Sequence, residues 1–91
     1  MKTGVELISE ERKRQIEKEG YSLEHDANHN VNEFTFAAMA YLACNFPNNA
    51  ANEMWPWELE YWKPKDLRKN LIRAGALIAA ALDRLGDEND T

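Results

Sequence analysis

Ten consecutive residues hold most of the reactive side chains of this chain: Glu24-His25-Asp26-Ala27-Asn28-His29-Asn30-Val31-Asn32-Glu33. Both histidines are here, with three carboxylates, and the segment opens into the most apolar run, Phe34 to Cys44. His25 and His29 are four apart, a spacing that brings them together on a helix. With Asp26 and Glu33 they form a donor set suited to Zn, Mn or Fe, while carboxylates alone suit Mg²⁺. The spacing lacks the intervening Glu of a zincin helix. The same residues also read as turn chemistry, with Asp26 or Asn28 capping the next helix and the histidines as polar loop residues.

Three further groups have chemistry to offer. Glu11, Arg12 and Gln15 lie on or beside the sparse apolar face of a first helix. They read as a solvated charged face, with pairs such as Glu11–Gln15 and Arg14–Glu17. Alternatively Glu11 points inward and meets Glu33, at a cost that only a cation or Arg would offset. Asp83 follows Ala76, Ala79 and Ala80 at helical steps. It reads as a partner for Arg84 or another cation, or as a carboxylate completing a metal site. Finally, Trp55, Trp57, Tyr61 and Trp62 fall within eight residues, followed by Lys63. Such a block either clamps a long loop to the fold or offers a stacking wall to a nucleobase or an anchor for a protein partner.

The elements that position these residues are all helical. Thr3 and Glu6 have the capping-box spacing, with Ser9 as a rival start, so a helix is expected from about residue 4 to 19, ended by Gly20. Val5, Ile8 and Ile16 are its apolar anchors. Residues 20–30 form a polar connection. A second helix is expected over about Asn32–Asn45, apolar on every face, which suits a bundle centre or a dimer interface. Phe46-Pro47-Asn48-Asn49 stops it. A loop punctuated by Pro56 and Pro64 carries the tryptophans. In the last helix Pro64 suits the first turn, and Leu67, Leu71, Ala74, Ile78, Leu82 and Leu85 recur as one apolar stripe. Gly86 is expected to end it, leaving a mobile acidic tail over 86–91. Gly75, costly in a helix interior, is expected where another helix backbone passes close by.

The sum is a single all-α domain over 1–91, a three-helix protomer whose bundle a second copy completes. Ninety-one residues bury a thin core, for which dimerisation is a common remedy. The net charge of −5 lacks the basic footprint of a nucleic-acid polymer binder and is compatible with a cation, or with a phosphate ligand that brings one. One cysteine, Cys44, excludes an intrachain disulfide and reads as a buried inert thiol. With no signal-peptide pattern and no run near ~18 apolar residues, the expected location is the cytoplasm, away from membranes.

Several quoted segments together resemble a family of small helical proteins from phages, prophages and bacteria. They are Ile8-Ser9-Glu10-Glu11-Arg12 with Gln15, Glu19-Gly20-Tyr21, His25-Asp26, His29, Glu33, Ala37-Ala38, Tyr41, Trp55-Pro56-Trp57, Trp62-Lys63-Pro64, and Ala74-Gly75-Ala76-Leu77-Ile78 with Asp83-Arg84-Leu85. The pattern spans residues 7 to 85. That family in turn resembles the MazG-like all-α nucleoside triphosphate pyrophosphatases. The resemblance implies a homodimer that uses Mg²⁺ or Mn²⁺ to hydrolyse a (d)NTP to the monophosphate and pyrophosphate. It casts Glu11 and Glu33 as catalytic metal ligands and Asp83 as the last-helix carboxylate, joined by His25, Asp26 and His29. Arg12, Gln15, Trp55, Trp57, Trp62 and Lys63 would then bind the nucleotide. The chain departs from the pyrophosphatase pattern at Ala80, three before Asp83, and at Phe36 and Ala37 after Glu33. It departs from the small family at Ala81, where Glu is common. Fewer carboxylates make a weaker Mg²⁺ site, and a protein that acts only by binding a partner, through the Trp block and second helix, is the alternative.

Overall fold

The Thr3 N–H donates to Glu6 Oε1 at 2.8 Å, and the Glu6 N–H donates back to Thr3 Oγ1 at 3.2 Å. This reciprocal capping box starts helix α1, Gly4–Lys18, in the computed structural model, which describes residues 1–18, 31–46 and 51–89. The expected start is therefore the observed one, and Ser9 lies inside the helix. The expected anchors are corrected: Val5 is 79% exposed and Ile16 is exposed as well. The residues α1 buries are Arg12 and Gln15.

Helix α2 runs Val31–Ala43, and a four-residue helix α3, Ala51–Met54, follows where an open loop was expected. A 3₁₀ turn at Leu59–Tyr61 leads to α4, Leu67–Asn89. No strand occurs among the described residues, so the all-α class holds. Pro64 precedes α4 instead of sitting in its first turn. Asp66 is the cap, because its Oδ1 accepts the Lys69 N–H at 2.9 Å and so satisfies an otherwise unpaired amide. Gly86 does not end the helix. It has open space around it, so only the intrinsic glycine penalty of roughly 1 kcal/mol opposes continuation, and residues 86–89 of the expected tail are helical.

α4 is the shared support. Both α1 and α2 pack on it, with no close backbone approach between α1 and α2. The α2–α4 core is made of Phe34, Ala37, Ala38, Ala40 and Tyr41 against Ala74, Leu77, Ala80 and Ala81. Small residues on α4 let α2 come close, so Phe34 and Leu77 fill the space and are fully buried. On the other side, Gly75 receives Ile8. A Cβ added at Gly75 would stand 2.6 Å from Ile8 Cδ1, so the nearest atoms to this mid-helix glycine belong to a side chain, where a helix backbone was expected.

The long stripe of α4 does not make this core. Ala74 is buried, but Leu67, Leu71, Ile78, Leu82 and Leu85 are exposed, Leu82 by 62%. The buried residues Asn70, Ala74, Leu77 and Ala81 form a parallel row about a quarter-turn around the helix, as the advance per residue of an α-helix requires. α2 is divided in the same way. Its inner face is buried, while Phe36, Met39 and Leu42 are exposed.

The connection from α2 to α4 is clamped by aromatic rings. Trp55 packs edge-to-face on Tyr41, 5.6 Å between centroids, and on Trp57 at 5.3 Å, and tilts against Trp62 at 4.9 Å. Trp57 meets Phe34 edge-to-face at 5.2 Å. Edge-to-face contact sets the positive rim of one ring against the negative face of the next. Two of the indole N–H groups have clear acceptors: Trp55 Nε1 donates to the Glu58 carbonyl and Trp62 Nε1 to Asn52 Oδ1. Asn70, 1% exposed, ties this region together. Its Nδ2 donates to the Lys65 carbonyl (2.8 Å), Asn45 Oδ1 (3.1 Å) and Cys44 Sγ (3.3 Å), and its Oδ1 accepts the Lys65 N–H at 2.7 Å.

Candidate functional site

Two surfaces of α4 are built differently, and each holds a candidate site. Between α1 and α4 runs a polar seam. The Glu11 side chain is only 10% exposed. Arg14 grips it with two hydrogen bonds, Nε to Oε1 and Nη2 to Oε2, both at 2.7 Å. Such a forked, charge-assisted contact is among the stronger polar interactions a protein makes. Gln15 Nε2 donates to the same carboxylate at 3.2 Å, and Arg73 Nε stands 3.9 Å from Oε2. Arg12 Nη2 meets Asp83 Oδ2 at 3.5 Å. Gln15 is buried, and among the described residues its Oε1 accepts no hydrogen bond. That amide borders a small void of about 10 Å³ beside Tyr41, Tyr61 and Lys63.

The expected pair Glu11–Gln15 is present. Arg14, expected on Glu17, turns back to Glu11, because a largely buried carboxylate needs a cation more than an exposed one does. Asp83 takes Arg12 across the seam, so of its two expected roles the structure shows a cation partner.

The expected meeting of Glu11, Glu33 and Asp83 does not occur. Among the described residues no three His, Cys, Asp or Glu side chains come together so that they could hold a metal ion. The cause is the topology. Glu11 on α1 and Glu33 in the first turn of α2 sit on helices that both pack on α4 and do not approach each other. The oxygens of Glu11 are committed to Arg14 and Gln15, and Asp83 to Arg12, so this described trio does not fit Mg²⁺ or Mn²⁺. His25, Asp26 and His29 lie outside the described residues.

Of the residues expected to bind a nucleotide, Gln15, Trp55 and Lys63 border the same small void of about 10 Å³, whereas Arg12, Trp57 and Trp62 do not line it. Arg12 and Gln15 belong to the seam. Trp55, Trp57 and Trp62 turn ring faces and edges to one another and to Tyr41 and Phe34, so the block is a clamp. Lys63 closes that clamp through its backbone: its N–H donates to Tyr41 Oη at 3.2 Å, and its carbonyl accepts from Arg73 Nη1. Cys44 is half-buried, and burial raises the pKa of its thiol, in keeping with an inert role.

Two concave features were not anticipated from the sequence. The first is a cleft of about 400 Å³ beside the seam, lined by Leu7, Glu10, Glu11 and Arg14 of α1 and by Arg68, Lys69, Ile72 and Arg73 of α4. The second is a groove of about 320 Å³ between α2 and α4, lined by Val31, Thr35, Ala38, Met39, Leu42, Ile78, Ala81, Leu82 and Leu85. No charged residue lines that groove. The signal for it was the leucine stripe. The cleft left no signal, because its cations come from two helices whose relative register is set only on folding.

Comparison with known protein families, with curated proteins and with solved structures found no match to this chain. No helix among the described residues is long and apolar enough to cross a membrane.

Proposed function

We propose that this protein acts by association, as a homodimer whose contact is the α2–α4 groove, and that its role is that of a helical interaction module. The observation that supports this reading is the displaced stripe. The most regular apolar pattern in the chain, Leu71, Ile78, Leu82 and Leu85 with Met39 and Leu42 opposite, is exposed in the single chain. A row of large apolar side chains left in water is the mark of an interaction surface. A second copy suits it best. The groove is uncharged, so two chains that each carry a net charge of −5 place no like charges in the contact. Ridges and groove lie on the same face, as a two-fold contact requires. Burying a Leu or Met side chain contributes about 1.5–3 kcal/mol, and a two-fold contact loses it twice, so Met39→Glu or Leu82→Glu weakens the dimer roughly 100-fold or more. Light scattering over a dilution series tests this. A wild-type mass of two chains with monomeric variants is the expected result, and a monomer at every concentration overturns the reading.

The hydrolytic reading is a second proposal, a MazG-like (d)NTP pyrophosphohydrolase dependent on Mg²⁺ or Mn²⁺. The resemblance supports it, and so does the inward face of α1, which is polar where a purely structural helix would be apolar. Glu33 lies in the first turn of α2, directly after the segment that carries His25, Asp26 and His29. A screen of dNTPs with either metal, with Glu33→Ala as control, tests it. Pyrophosphate released by the wild type and lost in the variant supports the proposal, and release that survives the substitution removes Glu33 from it.

A further inference from the structure

We infer that one buried water molecule is a structural part of this protein, bound where α1 meets the aromatic clamp and held by the Gln15 side-chain carbonyl. Gln15 sits on the inward face of α1 and is 2% exposed. Its amide has a donor end and an acceptor end. The donor end, Nε2, gives a hydrogen bond to Glu11 Oε2 at 3.2 Å. An ionised carboxylate only accepts, so turning the amide over would set oxygen against oxygen. The neighbouring charge therefore fixes the orientation of the amide. Its Oε1 is left on the side away from Glu11, shut off from bulk solvent, and it accepts no hydrogen bond from any described residue. A buried carbonyl in that position costs stability unless a donor reaches it.

On that side lies the void of about 10 Å³, which Gln15 lines and Glu11 does not. This is about one water-sized sphere, the least space that admits a water and too little for a larger ligand. A cavity with apolar walls stays dry, whereas a polar one holds a water that makes roughly two to four hydrogen bonds. Here Arg14, Tyr41, Tyr61 and Lys63 bring polar side chains to the lining. The Lys63 N–H donates to the Tyr41 hydroxyl at 3.2 Å, which ties that ring to the same corner. Two basic side chains in the lining disfavour a small cation, so the donor that Gln15 requires is neutral. The water extends the polar seam of α1 to the clamp, and it accounts for a glutamine at a position where an apolar side chain would leave the void dry. The site shares no lining residue with the groove of the proposed dimer, so the two stand or fall separately.

A high-resolution crystal structure of the full chain tests the site directly. The expected result is a single-atom peak within about 3.2 Å of Gln15 Oε1 and of a second polar atom in the lining. A void without density, or an Oε1 reached by a protein donor, overturns the inference. Oxygen-17 relaxation dispersion of the solvent tests it in solution, because it counts waters held longer than the protein takes to tumble. Gln15→Met keeps the length of the side chain and removes the carbonyl. The variant is expected to hold about one fewer such water per chain than the wild type, and an unchanged count overturns the inference. Circular dichroism establishes that the variant is folded. Should it not fold, the wild-type crystal structure decides alone.

Discussion

The two faces of α4 hold their neighbours by different forces. Toward α2 it presents Ala74, Leu77, Ala80 and Ala81, and the contact is apolar. Toward α1 it presents Gly75, Arg73 and Asp83, and the contact is one seated isoleucine plus hydrogen-bonded charges. Burial is non-directional and large, whereas partly exposed ion pairs contribute about 0–1 kcal/mol each. The α2–α4 pair is therefore the stable unit, and α1 is the element most readily released.

Substitutions on either side test that contrast. Leu77→Ala should have the largest effect, about 2–5 kcal/mol off the unfolding free energy in urea, because the side chain is fully buried among helices that relax only partly around a cavity. A loss under about 1 kcal/mol would mean that the core is not where the structure puts it. Glu11→Ala should cost less, about 1–3 kcal/mol, because it removes the acceptor of Arg14 and Gln15. Its effect should be local: hydrogen exchange should quicken in α1 and leave α2 unchanged. Equal quickening in both helices would show that the two contacts are one cooperative unit.

The smallest effect belongs to the cap. The Thr3 backbone N–H, and then its hydroxyl, hold the Glu6 carboxyl below its usual pKa. A lowered folded-state pKa means that the stabilisation is present above the unfolded value and is lost as pH falls through the folded one. Acidification should thus fray the start of α1 in the wild type, and Glu6→Gln should remove that pH dependence. Matching acid profiles of α1 amide exchange in the two proteins would show that the cap carries no such coupling.

Much of this fold is readable in the sequence, because caps and helical periods are local. The Thr3–Glu6 box and the apolar second helix both follow from spacing within a few residues. The role of the leucine stripe does not, since periodicity identifies an apolar face without saying whether the chain's own helices or another copy covers it. Asn70 shows the same limit from the other side. Nothing in its spacing marks it as buried, and its four partners lie on Cys44, Asn45 and both backbone groups of Lys65, most of them brought to it only by folding. The expected carboxylate site depended on a register among three helices. The charge-bearing residues were identified, but Glu11 and Asp83 found arginines before they could find each other.

The proposed dimer brings the exposed stripe of α4 and the outer face of α2 against a second copy of the chain. Sedimentation equilibrium on the wild type, Leu82→Glu and Leu59→Glu decides it. Leu59 is at least as exposed as Leu82 but lies outside the groove, so it controls for the loss of any surface leucine. A dimer is expected for the wild type and for Leu59→Glu, and a monomer for Leu82→Glu. A monomeric wild type, or a dimer that Leu82→Glu leaves intact, would show that this face has another purpose.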